Sequence, residues 1–383
     1  MALSPLEAAK KLAPMIHAAA AESEALREVP RPLFEAISDA GLIHMALPRA
    51  IGGGEIDLPT YVQVLEELGK ADASTAWVVN QLAIYGTYAS RMPREIAKKI
   101  WIDTPHGCVA NTPAATATAV VVPGGYRVTG RQGFSTGSRN AAWVAPHAQV
   151  IENGQVRMDG SVPETRYLFV PVAQAELLDT WKVRGMRATG THHFAVNDVF
   201  VPAELSVLSA TAPLLEPGPL YKIPRTLLFA SGDASVAFGM ARTCLATFME
   251  LASSKTPRAM EGVLRDQAMV QLTIGQAEAW LRTSKAFLTE AVREIWAGAT
   301  KDEVTLDQRA NLRLATTHGI RVAAQIIDAV YNVAGATAIY EDNPLQRYFQ
   351  DIHVITQHMQ GRPAHYELIG RYWLGLKVDE ARF

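Results

Sequence analysis

The segment Asn343 to Gly375, NPLQRYFQDIHVITQHMQGRPAHYELIGRYWLG, places His353 and His358 five residues apart. An imidazole titrates near ~6.5, so either ring can take or give a proton, or donate a hydrogen bond, around neutral pH. Five-residue spacing on a helix points the two rings in different directions, so they do not work as a pair. A lone histidine also serves as a hydrogen-bonded core or helix-end residue. His192 and His193 are adjacent at the start of a strand, where neighbours face opposite sides, so no shared metal is expected. Cys108 and Cys244 are the only cysteines, far apart and without CxxC spacing. That excludes a disulfide framework and a cysteine-based metal site, and fits a reducing cytoplasm. Ser135, Thr136 and Ser138 cluster in GFSTGS; such hydroxyls either satisfy backbone groups at a strand end or are presented to a ligand. The run Gly185 to Gly190, GMRATG, is not a dinucleotide fingerprint, because the first glycine pair, the preceding buried strand and the following helix are all missing.

Three kinds of element have to position these groups. From Ser4 to about Trp101 the apolar period is helical: Ser4-Pro5-Leu6-Glu7 reads as a capping box with proline at the first helical position, opening a helix to about Glu28. Phe34 and Ile37 precede Gly41 as a stop, and Tyr61, Leu65 and Leu68 form a stripe before Gly69. STAWVVNQLAIYG is apolar nearly all round and is expected to be buried. Between about Gly107 and Pro202 the period becomes two, with strands in TAVVV, YRVTG, WVAPHAQV, RYLFVPV and HFAVNDVFVP that predict an antiparallel β domain. Ser209 to Pro224 reads as a proline-rich linker. Long helices return at Ala230 to Ser254, Gly262 to Ala297 and Val304 to Ala334, lengths that suit a bundle. The division expected is residues 1–104 helical, 105–208 β and 209–383 helical bundle.

A chain of 383 residues can hold two or three packed layers, each with its own core. Thirty-six basic residues against thirty-eight acidic ones leave a net charge of -2, so no nucleic-acid footprint is expected and the partner should be a small molecule. The N-terminus has no basic segment followed by an apolar run and a cleavage site, and no run of about 18 apolar residues suggests a membrane span.

Helices, a small β domain and a long-helix bundle form the order of the acyl-CoA dehydrogenase superfamily, which the chain resembles over essentially its whole length. YRVTGRQGFSTGSRNAAWV is similar to the superfamily's strand-turn-strand beside the flavin, and WKVRGMRATGTHHFAVNDVFVP to its tryptophan, glycine turn and strand ending in Val-Pro. The Phe-Ser-Thr-Gly variant, RTLLFASGDASVAFGMARTCL and the terminal DIHVITQH resemble more closely the reduced-flavin-dependent monooxygenases, oxygenase halves of two-component systems. That resemblance implies an N-terminal helical domain, an antiparallel β-barrel and a C-terminal four-helix bundle, usually assembled as a homotetramer. It implies reduced flavin, FMN or FAD, delivered by a separate reductase. It also implies O2 activation through a C4a-hydroperoxide and oxygenation of an aromatic or heteroaromatic small molecule, the cofactor carrying the difficult chemistry.

The same resemblance assigns roles. Where the dehydrogenases keep a glutamate base, this chain offers His358 and Met359, so desaturation of an acyl thioester lacks its carboxylate. Thr136, with Ser135 and Ser138 beside it, falls at the hydroxyl near flavin N5; Trp181 falls near the ring and Arg258, in SSKTPRAMEG, at the flavin phosphates, often across a subunit boundary. Many of these oxygenases have a histidine eight residues after the tryptophan corresponding to Trp77; that count lands on Tyr85, a departure that leaves a hydrogen-bond donor of another kind. Trp77, Tyr85, His353 and Asp233 are the expected substrate-side residues. An acyl-CoA dehydrogenase would have to recruit Asp233 or Glu367 as its base. A non-catalytic helical scaffold would bind no flavin at all.

Overall fold

A computed structural model describes residues 3–258 and 261–383. The N-terminal part holds five helices: α1 (Pro5–Leu26), α2 (Arg31–Asp39), α3 (Leu58–Ala71), α4 (Ala73–Tyr85) and α5 (Arg94–Trp101). The expected capping box starts α1: the Glu7 N–H donates to Ser4 Oγ (3.3 Å) and the Ser4 N–H donates to Glu7 Oε2 (2.8 Å), so two otherwise orphaned donors are satisfied reciprocally. Helix α4 is buried at every position, which its all-round apolar sequence requires. Gly69 does not end the third helix but lies inside it, where a Cβ would sit 2.8 Å from the Val236 carbonyl oxygen of the helix packed against it. Its role is close helix approach rather than termination.

The strands that concern the site are β1 (Ala117–Val122), β2 (Gly125–Ser135), β3 (His147–Glu152), β4 (Thr165–Leu168), β5 (Glu176–Leu178), β6 (His192–Pro202) and β7 (Ser206–Leu208). They follow the order β5-β6-β2-β1-β3-β4-β7 in an eight-stranded sheet, with Gln155–Val156 pairing beside β3. The anticipated antiparallel barrel is, in its pairing, a mixed, curled sheet: β1 and β3 run parallel, as do Val109–Asn111 and Trp143–Ala145 in a smaller sheet. A tight Pro123-Gly124 turn forces β1 and β2 to be antiparallel, whereas β3 returns through a long excursion that leaves its direction free. Pro146 also splits the WVAPHAQV run into two strands on different sheets.

The C-terminal part contains α6 (Arg225–Ser254), α7 (Ala268–Thr300), α8 (Leu306–Ala334), α9 (Pro344–Gln357) and α10 (Ala364–Trp373). Helix α6 begins at Arg225, directly after Pro224, earlier than the apolar pattern suggested. Helix α7 begins later, because Val263 donates its N–H to Asp266 Oδ2 (3.1 Å) in a short 3-10 turn after Gly262, whose φ is +76°. The stretch Leu306–Ile339 is long and apolar enough to cross a membrane by length and composition, and 44% of its most apolar window is buried within the chain. It packs against α6, α7 and α9 as the central helix of the bundle.

Candidate active site

Helix α4 connects the two chemically equipped regions. On one side, a Cβ at Gly137 would lie 3.2 Å from Val78 and Leu82, so the turn after β2 is pressed against α4. On the other side, the Trp77 ring meets His358 edge-on at 5.0 Å, and Asn80 and Gln81 reach Asp233 on α6.

The turn after β2 is built around backbone that only glycine adopts freely: Gly137 has φ +70°, and Phe134 before it has φ +59°, an uncommon left-handed conformation for a bulky residue. Ser135, Thr136 and Ser138 are all buried. Thr136 Oγ1 lies 3.0 Å from Thr191 Oγ1, which in turn lies 2.7 Å from Thr189 Oγ1. Thr189 donates onward to the Met186 carbonyl oxygen at 2.8 Å. Ser135 Oγ and Ser138 Oγ have no hydrogen-bond partner among the described residues. Burying a hydroxyl unpaired costs about 1 to 3 kcal/mol, so these two atoms mark a place where a polar ligand edge would be satisfied. The flavin edge expected at this turn is a ligand of that kind.

Trp181 donates its Nε1–H to the Met186 carbonyl oxygen (3.0 Å) and stands edge-on to Phe134 at 6.3 Å, beside the same turn. Met186 is itself left-handed (φ +51°) and donates its N–H to Asp351 of α9. Gly185 permits this docking, because a Cβ there would lie 2.2 Å from the Gln350 carbonyl oxygen. GMRATG therefore docks the β domain against α9. His192 is buried against Asp179 (3.6 Å) and burial pushes its imidazole down to about 4, whereas His193 turns to Arg131. The two rings serve separate surroundings.

His358 lies just past the end of α9, capping it with extended backbone (φ -65°, ψ 149°). Its Nδ1 is 3.1 Å from Asp233 Oδ2. Asp233 is completely buried, and burial drives its carboxyl above the usual range, opposed first by His358 and then by Asn80 and Arg313. This contact was not legible in the spacing of the sequence, since the two residues are on different helices. Spacing did orient His353: it faces Asp328 across the outer side of α8 at 2.9 Å, half exposed, and the structure does not bring it to His358. Tyr85 is buried with its ring against Phe229 (5.2 Å) and Tyr88 (6.3 Å), on the α6 side of α4, and has no hydrogen-bond partner among the described residues. Glu367 is exposed on α10, away from these groups. Arg258 is exposed beyond the far end of α6. At 1.5 Å per residue, the helix from Asp233 to Ser254 spans ~30 Å, which sets Arg258 well apart from Asp233 and His358.

Comparison with known proteins agrees with this architecture. The model for the N-terminal domain of acyl-CoA dehydrogenases matches residues 7–103 and that for their C-terminal domain matches residues 231–363, together more than half of the chain. Indole-3-acetate monooxygenase of Pseudomonas putida is 28% identical over 357 residues, covering 92% of this chain and 89% of its own. The flavin-dependent monooxygenase oxygenase subunit HsaA of Mycobacterium tuberculosis is 26% identical, covering 98% and 96%. Among solved structures, the HsaA monooxygenase from M. tuberculosis superposes with a TM-score of 0.88 at 25% identity over 99% of both chains. XiaF from Streptomyces sp., in complex with FADH2 and glycerol, gives 0.87 at 25% identity over 97% of this chain and 95% of that one. The chain belongs to the acyl-CoA dehydrogenase superfamily, and its relatives there are flavin-dependent monooxygenase oxygenase components.

Proposed function

We propose that the chain is the oxygenase component of a two-component flavin-dependent monooxygenase acting on an aromatic or heteroaromatic small molecule. The observation that carries this reading is the group presented at the end of α9: an imidazole backed by a buried carboxylate, where a dehydrogenase needs a free one. Asp233 is engaged by His358, Asn80 and Gln81, and Glu367 lies elsewhere, so a base for desaturation is missing.

Ser135, Thr136 and Ser138 would hold reduced flavin, FMN or FAD, at the turn, with Trp181 beside it. When bound, the reduced flavin supplies the activation of O2. The protein's part would be to keep water out and protons in place: the buried hydroxyls would hold a proton at the flavin's edge, and His358 would hold or accept a proton on the substrate side. Trp77, Tyr85 and Phe229 give that side an aromatic wall suited to a flat ring. A separate reductase is part of the reading, since GMRATG serves to dock the β domain against α9. A homotetramer is supported by the partly uncovered apolar face of α8 and by exposed Met269 and Leu272 on α7.

Supplied with reduced flavin, O2 and a panel of phenols and indoles, the parent should convert at least one aromatic with most oxygen consumption coupled to product. Replacing Ser135 and Thr136 together with alanine should leave the fold intact and divert oxygen to hydrogen peroxide. No aromatic conversion by the parent, together with bleaching of bound oxidised flavin by acyl-CoA under anaerobic conditions, would assign the chain to the dehydrogenases instead.

A further inference from the structure

The oxygenase reading leaves open what fixes the His358 ring, and the buried surroundings of Asp233 answer it. Asp233 Oδ1 accepts from Asn80 Nδ2 at 2.8 Å and from Gln81 Nε2 at 3.3 Å. Asn80 is itself held by the Tyr61 hydroxyl of α3, which donates to Asn80 Oδ1 at 2.5 Å. Gly232 makes the room, since a Cβ there would fall 2.1 Å from Asn80 Oδ1. Asp233 Oδ2 is left facing His358 Nδ1 at 3.1 Å, a close contact short of hydrogen-bond alignment, and among the described residues neither buried atom has a hydrogen-bond partner, so each is the nearest group that can satisfy the other. The imidazole also packs perpendicular to the Trp77 ring, with centroids 5.0 Å apart. Because the His358 side chain is one-third exposed while its Nδ1 is buried, the accessible nitrogen is Nε2.

Resting on the oxygenase reading, we propose that Asp233 is the positioning residue for His358: it takes the Nδ1–H and leaves a bare Nε2 facing an aromatic substrate that carries an acidic O–H or N–H. In the step this serves, the O–H or N–H bond of the substrate breaks heterolytically, the proton passes to Nε2 and the electron pair stays on the ring system, which becomes more electron-rich. No oxidant or reductant enters that step. The carboxylate does not itself have to become protonated; it fixes the tautomer and stabilises the imidazolium that forms. The ionisable groups that face the pair are Tyr61 from α3, Tyr85 from α4 and Arg313 from α8.

The decisive variant is Asp233→Asn. Asn80 and Gln81 donate to the Oδ1 position, so the new amide should keep its oxygen there and turn its NH2 toward His358. Nδ1 must then accept, and the proton moves to Nε2. Nitrogen NMR of the full protein labelled on histidine, recorded at about pH 8 and assigned by loss of the signal in His358→Ala, should show Nδ1–H in the parent and Nε2–H in Asp233→Asn. The variant should bind reduced flavin normally, lose at least 10-fold in kcat for aromatic oxidation and change KM less than twofold. An Nε2–H tautomer in the parent would overturn the proposal even if the variant does not fold, as would an unchanged tautomer in a folded variant. Failure of the parent to oxidise any aromatic would remove the oxygenase reading while leaving the tautomer result to stand.

Discussion

Replacing His358 with alanine should lower aromatic oxidation about 10²-fold or more and leave the chain folded and able to bind reduced flavin. The ring lies past the end of α9 and is one-third exposed, so its removal opens no large cavity in the core. What is lost is the group proposed to face substrate, together with the counter-group for a completely buried carboxylate. The variant should still consume oxygen, because that step depends on the flavin and the hydroxyls of the β2 turn, and the oxygen should leave as hydrogen peroxide. His353→Ala should change product formation less than twofold, since its partner is the surface residue Asp328. Equal losses in both variants would show that the histidines act through stability and not through chemistry.

The largest effect on stability should come from Asp351. It is buried, accepts the Met186 N–H, and is pushed up to about 7 by burial, with Asp72 and Glu24 adding to the rise and the Met186 N–H and Arg347 opposing it. The folded chain thus keeps a proton on Asp351 at a pH where the unfolded chain, with a carboxyl near ~4, has released it. More protons are bound folded than unfolded, so stability contributed by this group is fully present below ~4 and is lost as pH rises through about 7. A shift of that size corresponds to a loss of about 4 kcal/mol. Asp351→Asn keeps an acceptor for Met186 and cannot ionise, so it should flatten the dependence and gain stability over the parent at pH above ~7. Denaturant midpoints of parent and variant should diverge with rising pH. Parallel curves would mean that Asp351 is ionised in the folded chain throughout.

The parts of this molecule legible in its sequence are those in which local pattern and final environment coincide. The all-round apolar run from Ser74 to Gly86 could only be a buried helix, and α4 is one. Ser4-Pro5-Leu6-Glu7 carries its own hydrogen-bonding instructions and forms the capping box it spells. Five-residue spacing separated His353 from His358 without any knowledge of what either faces. Non-local choices were less visible. The parallel pairing of β1 with β3 depends on how the chain returns after the hydroxyl turn, and no residue of either strand encodes it. Gly69 carried an ambiguous signal, since a glycine at the end of an apolar stripe marks a stop or a close helix contact equally well.

The candidate site could be proposed residue by residue, while its arrangement was hidden. Ser135, Thr136, His358 and Asp233 were each visible as candidates, but the sheet and three helices together bring them around α4. Asn80 and Gln81 escaped notice because they sit within an apolar run and read as tolerated polar residues. A polar pair in a helix expected to be wholly buried was the available clue, since buried amides require partners.

The most direct measurement follows the oxygen atom. With reduced flavin generated by an added reductase, an aromatic substrate found in the panel and ¹⁸O₂ in the gas phase, mass spectrometry should show one labelled oxygen in the product and none derived from water. An unlabelled product, or no oxygenated product alongside reduction of bound flavin by acyl-CoA, would contradict an oxygenase built on His358 and the hydroxyl turn.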